Sequence, residues 1–353
     1  MRTPKVRIDG ILSVEEVVRS GIPQGTVLGP FLFLLFINDM PDSVLSKLFL
    51  YADDSKIYRV INNASADREI LQNDLDRLYE WSKTWLMKIH PDKLFGMEIG
   101  GSRECPEYDY TVGPMTVKYS KVEKDIGVEV DDNLVFAQHI DTIVKKANSK
   151  AGWLRRSFQF LTPKMFRPLY MQVVRSQMEY ASSVWNPHHQ TLIDKIEKVQ
   201  ERATKMLPDM KGINYEDRLR LLNLPTLRFR RLRGDMINAY KILNCEDKSL
   251  CPLLKLSVEY TGRAGRNSLS LFQSRNELDV RKFYFSERVV AAWNTLPENV
   301  VTAPNVNCFK SRLDRFWRNE PLKFDYKANL TARSIPRKPR KPQKPRKPPK
   351  NNK

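Results

Sequence analysis

The sequence predicts an α+β fold, with strands confined to the front third and helices filling the rest. Three observations lead there. A Gly- and Pro-punctuated loop, "SGIPQGTVLGP" (Ser20–Pro30), runs into an apolar helical stretch and then into "LFLYADDSKIYRV", an apolar run broken at its centre by two aspartates. An amphipathic helix follows over about Ser65–Lys88. From His139 onward the texture becomes helical, with breaks at Pro or polar residues.

Taken in order, "VRIDG" (residues 6–10) reads as a strand entering a turn, and Phe31–Asp39 as a short apolar helix. Residues 45–60 read as a β-hairpin with Asp53 and Asp54 at its tip. In the next helix Ile70, Leu71, Leu75, Leu78, Trp81 and Trp85 recur at helical spacing. "KLFGMEIG" and "DIGVEVDDNL" read as further strands, and the change of texture falls near residue 137. Beyond it, "HIDTIVKKANSKAGWLRRSF", "KMFRPLYMQVVRSQMEYASSVW" and "TLIDKIEKVQERATKML" are three helical patterns. A fourth spans about Asn214–Leu243, residues 245–280 are turn-rich, and a helix pair covers Phe283–Leu296 and Val306–Trp317. Trp153, near Arg155, and Trp293, near Arg288, are candidates to stack bases, but their helical spacing favours core packing for both.

The 353 residues carry a net charge of +19, which favours a polyanionic partner: nucleic acid first, an anionic membrane surface second. Ten of those charges sit in the acid-free tail "RSIPRKPRKPQKPRKPPKNNK" (Arg333–Lys353), leaving nine for residues 1–332. Repeated Pro and like charge predict a disordered, PPII-like tail that serves as a nucleic-acid-binding arm, as a nuclear import signal, or only as a solvated end. Cys105, Cys245, Cys251 and Cys308 have no C-x-x-C spacing and lie far in sequence from any His, so free buried thiols are expected rather than a zinc knuckle. No signal-peptide segment is evident, and "FLFLLFI" is far too short to span a bilayer, so the expectation is an intracellular protein, nuclear or cytoplasmic, without membrane partners.

By itself the Asp53–Asp54 pair admits two readings: the polar tip of a turn, or a pair of hard oxygen ligands for Mg²⁺. The wider context bears on the choice. "SGIPQGTVLGPFLFLLFINDMP", then "LFLYADDSKIY", then "WSKTWLMKIHPDK" closely resemble, in order and spacing, the middle of reverse transcriptases from non-LTR retrotransposons of the jockey and chicken-repeat type. "EYASSVWNP", "KVQERATKML" and "LNLPTLRFRRLRGDMINAYKIL" resemble the region after the polymerase, so the likeness covers roughly residues 6–318.

The resemblance implies a partial polymerase palm, an antiparallel sheet with helices, over 1–137. It implies a helical thumb-like domain over 138–210 and a helical C-terminal region over 211–320, with the basic Pro-rich tail at 321–353. It implies RNA-directed DNA polymerase activity by two-metal chemistry with Mg²⁺ or Mn²⁺, an RNA template, a DNA primer and deoxynucleoside triphosphates. Asp53 and Asp54 would be the metal-binding, catalytic carboxylates, with Asp53 the primary ligand. Phe49, Tyr51, Ile57 and Tyr58 would anchor the hairpin. Gln24, Gly25 and Tyr51 would line the nucleotide and template site, and Lys93 would lie near the leaving pyrophosphate as an acid. His90 and Leu94 stand where the family usually has Asn and often Cys.

The family's palm needs one more metal-binding aspartate upstream of the "GIPQG" loop, and the only candidate here, Asp9, falls in a strand that matches a position after that motif. The chain is therefore expected to be the C-terminal part of such a polymerase. It would be inactive by itself, would expose surface that a missing N-terminal polymerase half covers, and would work only when completed by that half. The alternative is a non-catalytic basic nucleic-acid-binding protein. In that reading Lys145, Lys146, Lys150, Arg155, Arg156 and the Arg228–Arg233 cluster, Arg230 and Arg231 included, hold phosphates.

Overall fold

The computed structural model describes residues 5–15, 17, 25–100, 108–245, 253–262 and 265–330. The chain divides into two units, Met1–Lys121 and Val122–Lys353. Helices and short strands are both present, and the strands pair only in twos among the described residues, giving five separate ribbons instead of one palm-wide sheet.

The first unit opens with a two-residue-strand hairpin, β1 (Arg7–Ile8) and β2 (Ile11–Leu12), turned by Asp9 and Gly10, both at positive φ. Helix α1 (Leu28–Ile37) is apolar all round yet buries only Gly29 and Ile37, so Leu28, Phe31, Leu32, Leu34 and Leu35 remain exposed. Strands β3 (Lys47–Tyr51) and β4 (Asp54–Tyr58) form the antiparallel hairpin expected over residues 45–60. Helix α2 (Ala64–Thr84) begins where the Asn63 side chain accepts the Ala66 N–H, an N-cap that satisfies one of the four orphan donors. The parallel pair β5 (Phe95–Gly96) and β8 (Lys118–Tyr119), with the hairpin β6 (Thr111–Val112) and β7 (Met115–Thr116) between them in sequence, completes the unit.

Two small cores lie along α2. Trp81 packs with Ile37 and Met40, with Leu48, Leu50 and Leu78 against them. Leu75 packs with Tyr110, Val112 and Val117, with Ile57 and Leu71 against them. The alternation of β3 therefore turns Leu48 and Leu50 inward, while Phe49 is 56% and Tyr51 63% exposed. This corrects the expectation that Phe49, Tyr51 and Tyr58 anchor the hairpin: a strand's period of two sends their parity outward, and of the four expected anchors only Ile57 packs inward.

The second unit begins with the hairpin β9 (Val122–Asp125) and β10 (Val128–Asp131), whose Val128 enters the core of the helices that follow. Helix α3 (Ala137–Ser157) is tied to it where Glu129 N–H donates to His139 Nδ1 and Thr142 Oγ1 to Glu129 Oε2. The stretch 164–185, helical throughout by pattern, is broken. It runs as α4 (Pro163–Leu169), a π-helical turn (Tyr170–Val174), a 3₁₀ turn (Arg175–Met178) and α5 (Ser182–Trp185). Pro168 offers no N–H to the ladder, and the register widens directly after it. Helices α6 (Gln190–Thr204), α7 (Tyr215–Leu222) and α8 (Leu227–Leu243) follow. The pattern over Asn214–Leu243 is split in two at Asn223, which takes φ +47 ahead of Pro225.

Short helices α9 (Ser257–Thr261) and α10 (Asp279–Lys282) lead to α11 (Phe285–Asn294), α12 (Glu298–Val301) and α13 (Val306–Phe316), close to the expected pair. One core gathers residues between Val128 and Leu227 around Phe166, Tyr170 and Trp185; a second gathers Phe229 to Leu322 around Trp293, Phe309 and Trp317. Cys245 and Cys308 are free, half-buried thiols, while Cys105, Cys251 and the tail at 333–353 lie outside the described residues. Among the described residues no helix is long and apolar enough to cross a membrane.

Candidate active site

The hairpin β3–β4 brings Tyr51, Asp53 and Asp54 together. Tyr51 pairs across the ladder with Asp54, which leaves Ala52 and Asp53 as a two-residue loop. Ala52 takes φ +53, the left-handed backbone that tight hairpin loops of the primed types need and that costs a residue with a Cβ about 1 kcal/mol. Both aspartates are exposed, so their carboxylates stand in water at the tip of an otherwise apolar ribbon and carry no burial penalty. On the outer face Phe49 stacks on Tyr58, with ring centroids 5.6 Å apart and planes within 5°.

Two carboxylates of α2 hold the hairpin in place. Asp74 is fully buried; its Oδ1 accepts the Leu45 N–H at 2.9 Å and its Oδ2 the Ser46 N–H at 2.7 Å, with Arg77 at 3.4 Å. Asp67 holds the chain leaving β4 at the same open end: Arg59 Nε donates to Oδ1 at 3.0 Å, and the Asn62 and Asn63 N–H groups donate to Oδ2. Those backbone donors, then Arg59, hold the Asp67 carboxyl below its ordinary range. Sequence reasoning missed both residues. Their seven-residue spacing on the helix that follows the hairpin, one face by period, was the available signal.

The other expected site residues are scattered. Gly25, at φ +80, lies in the turn before α1, a backbone shape open to glycine, whereas Gln24 lies outside the described residues. Lys93 ends an exposed 3₁₀ turn, Pro91–Lys93, whose His90 Nδ1 accepts the Asp92 N–H; no ion pair joins Lys93 to the carboxylate pair among the described residues. Asp39, which ends the apolar helical stretch before the hairpin, is not among the expected ligands and accepts a hydrogen bond from Trp81, whose Nε1–H donates to Oδ1 at 3.2 Å.

A hard divalent cation suits the donor type of Asp53 and Asp54, but two adjacent carboxylates supply only part of a shell of about six oxygens. Among the described residues no group of three or more His, Cys, Asp or Glu side chains could hold a metal ion.

In the second unit Lys145, Lys146, Lys150, Arg155 and Arg156 are all exposed on α3. Trp153, expected in the core, is 52% exposed; on the helical wheel it falls among Lys146, Lys150 and Arg156, to one side of the buried stripe of Ile140, Ile143, Ala147 and Leu154. Trp293 is buried, as its spacing implied.

The α8 arginines are turned to structural work. Arg231 is 2% exposed and donates through Nε to Asn186 Oδ1 at 2.9 Å, which corrects its assignment to a phosphate-binding face: no nucleic acid can reach it. Arg230 forks onto Glu179 at 2.9 and 3.1 Å, Arg233 onto Asp314 at 2.6 and 2.8 Å, and Arg228 donates to the Tyr326 and Ala328 carbonyls.

Residues 2–161 match the family described as reverse transcriptase (RNA-dependent DNA polymerase). The chain is similar to a probable RNA-directed DNA polymerase from transposon BS of Drosophila melanogaster, 26% identical over 58% of this chain and 24% of that one. It is similar to the RNA-directed DNA polymerase from mobile element jockey of Drosophila funebris, 28% identical over 61% of this chain and 24% of the relative. A Pol polyprotein from the type-1 retrotransposable element R1 of Bradysia coprophila is 26% identical over 49% of this chain and 18% of its own length. The chain thus spans about a quarter of the length of the first two relatives. No solved structure matches it.

Proposed function

From the reverse transcriptase domain at residues 2–161, we propose that the chain is the part of a non-LTR retrotransposon RNA-directed DNA polymerase that presents the Asp53–Asp54 carboxylates to Mg²⁺ or Mn²⁺. The observation that carries this reading is "YADD" folded as a two-residue hairpin, with both carboxylates exposed at the tip and the chain entering and leaving the ribbon at its open end held by Asp74 and Asp67. When bound, a divalent cation supplies activation of a primer 3′-hydroxyl and neutralisation of triphosphate charge. The chain's own part is to fix the two carboxylates in orientation, to offer Tyr51, Gln24 and Gly25 to nucleotide and template, and to hold a proton donor at Lys93. A further carboxylate and the surface that covers α1 come from an N-terminal polymerase half. The substrates are a DNA primer, an RNA template and deoxynucleoside triphosphates.

Primer extension on an RNA template tests this. By itself the chain is expected to extend a primer no faster than background in Mg²⁺ or Mn²⁺, because the described residues bring only the Asp53 and Asp54 carboxylates to the tip. Supplying the upstream fingers and palm half of the jockey relative as a separate chain restores extension, and an Asp53→Ala, Asp54→Ala double variant does not respond. Extension that survives the double substitution sinks the assignment.

A second reading, a basic nucleic-acid-binding protein without catalysis, is favoured by the exposed α3 face that carries Lys145, Lys146, Lys150 and Arg156 around Trp153. It gains if strands bind while no combination of chains extends a primer.

A further inference from the structure

Within the second unit, cations from four separate segments converge on one cleft of about 240 Å³. Arg167 comes from α4, Arg175 from the 3₁₀ turn after it, Arg230 and Arg233 from α8, and Lys323 from the 3₁₀ turn Pro321–Lys323. Their floor is apolar, with Phe229 and Trp317 packed edge to face at 5.7 Å.

Only two carboxylates answer these five cations. Glu179 takes Arg230 through both oxygens and also has Arg175 Nε at 3.2 Å, and Asp314 takes Arg233. Arg167 and Lys323 pair with no carboxylate among the described residues; the Lys323 ammonium lies 5.3 Å from the Phe324 ring centroid. Arg175 is nine-tenths buried, and its Nε, although 3.2 Å from Glu179 Oε1, is not aligned to donate a hydrogen bond to it. Burial foremost, with the Arg230 and Arg167 charges adding to it against the pull of Glu179, lowers the Arg175 pKa below its ordinary value. A partly buried surplus of like charge is costly, and an anion seated there offsets the cost. Guanidinium forks match phosphate oxygens in spacing and charge, which makes phosphate the fitting anion.

We propose that this cleft binds a phosphate group of a nucleic-acid strand, a site separate from the exposed face of α3. The proposal rests on the reading of the chain as a nucleic-acid-handling protein. Five cations closing on one small volume suit a single phosphate, whereas a continuous strand alone would be served by an extended track.

The test is fluorescence anisotropy on the full chain with a labelled single-stranded oligonucleotide, carrying either a 5′-phosphate or a 5′-hydroxyl. The cleft variant is Arg167→Gln with Lys323→Gln, two side chains without carboxylate partners, and each single variant is measured beside it. The charge-matched control is Lys198→Gln with Lys211→Gln, both exposed and outside the cleft. The cleft variant is expected to bind about tenfold more weakly, with a shallower salt slope, while the control stays within about twofold of the parent. Loss with both oligonucleotides identifies an internal phosphate and loss confined to the 5′-phosphorylated one a terminal phosphate; either supports the site. A parent that binds strands with steep salt dependence while the cleft variants match it overturns the cleft and leaves the nucleic-acid reading standing. A parent that binds no strand overturns that reading, and the cleft falls with it.

Discussion

Asp67 and Asp74 hold the hairpin that presents Asp53 and Asp54, each by accepting two backbone N–H groups at one end of the ribbon. Asp74→Ala strands two donors at a buried position, and a loss of about 2–3 kcal/mol in the denaturant unfolding of the first unit is expected, with Asp74→Asn losing less. A buried base behaves differently from these acids. His139 is 3% exposed, and burial, with Lys146 adding to it against Glu129, puts its pKa below the ordinary 6.5. His188 moves the same way, by burial and then by the charge of His189. The unfolded chain then takes up protons near pH 6.5 that the folded chain refuses, so this contribution to stability is complete above that pH and is lost as pH falls below it. The urea midpoint should therefore drop between about pH 7.5 and 5.5, and an equal midpoint at both would refute the account. Replacing His139 and His188 by Gln should flatten the drop.

Elements show the same contrast between local and distant causes. The hairpin follows from local signals: alternating residues, with a polar break where a tight loop is needed. Its facing does not, because a slip of one residue exchanges the two faces. Leu50→Asp should therefore destabilise the first unit by about 2 kcal/mol or more, whereas Phe49→Asp should cost less than about 1 kcal/mol. Equal losses at the two positions, read from denaturant midpoints, would reverse the register. In the loop, Ala52→Gly removes the penalty of positive φ and should stabilise the ribbon by up to about 1 kcal/mol. The break after Pro168 and the split at Asn223 lie inside stretches that read as continuous helix, since apolar periodicity survives a local change from α to π or 3₁₀ winding.

For the whole molecule, charge sets the expected behaviour. Binding to duplex DNA should show weak sequence preference and a log–log salt slope of about −0.9 per phosphate contact, flattened when residues 333–353 with their ten basic side chains are deleted. Binding that ignores salt would refute an electrostatic footprint. The exposed apolar side chains of α1 predict concentration-dependent self-association of the chain by itself, read by light scattering and relieved when Leu32 and Leu35 are both replaced by Lys. A chain that stays monomeric at high concentration would show that this surface needs no cover.

The sequence by itself determined the α+β class, the ribbon with its aspartate pair, the order of most helices and the resemblance on which the proposed role of those aspartates rests. Each rests on signals a few residues long: period, turn chemistry and the spacing of a motif. Only the tertiary structure decided which of those residues are free to act. It placed Asp53 and Asp54 in water, gave Asp74 a buried structural task, left Trp153 outside and drew Arg231 inside. It assigned the β9–β10 hairpin to the helical unit, ahead of the change of texture near residue 137, because Val128 packs among those helices. Burial and ion pairing are settled by partners distant in the chain, as Arg230 is by Glu179 and Arg233 by Asp314, and no local pattern encodes a partner fifty or eighty residues away.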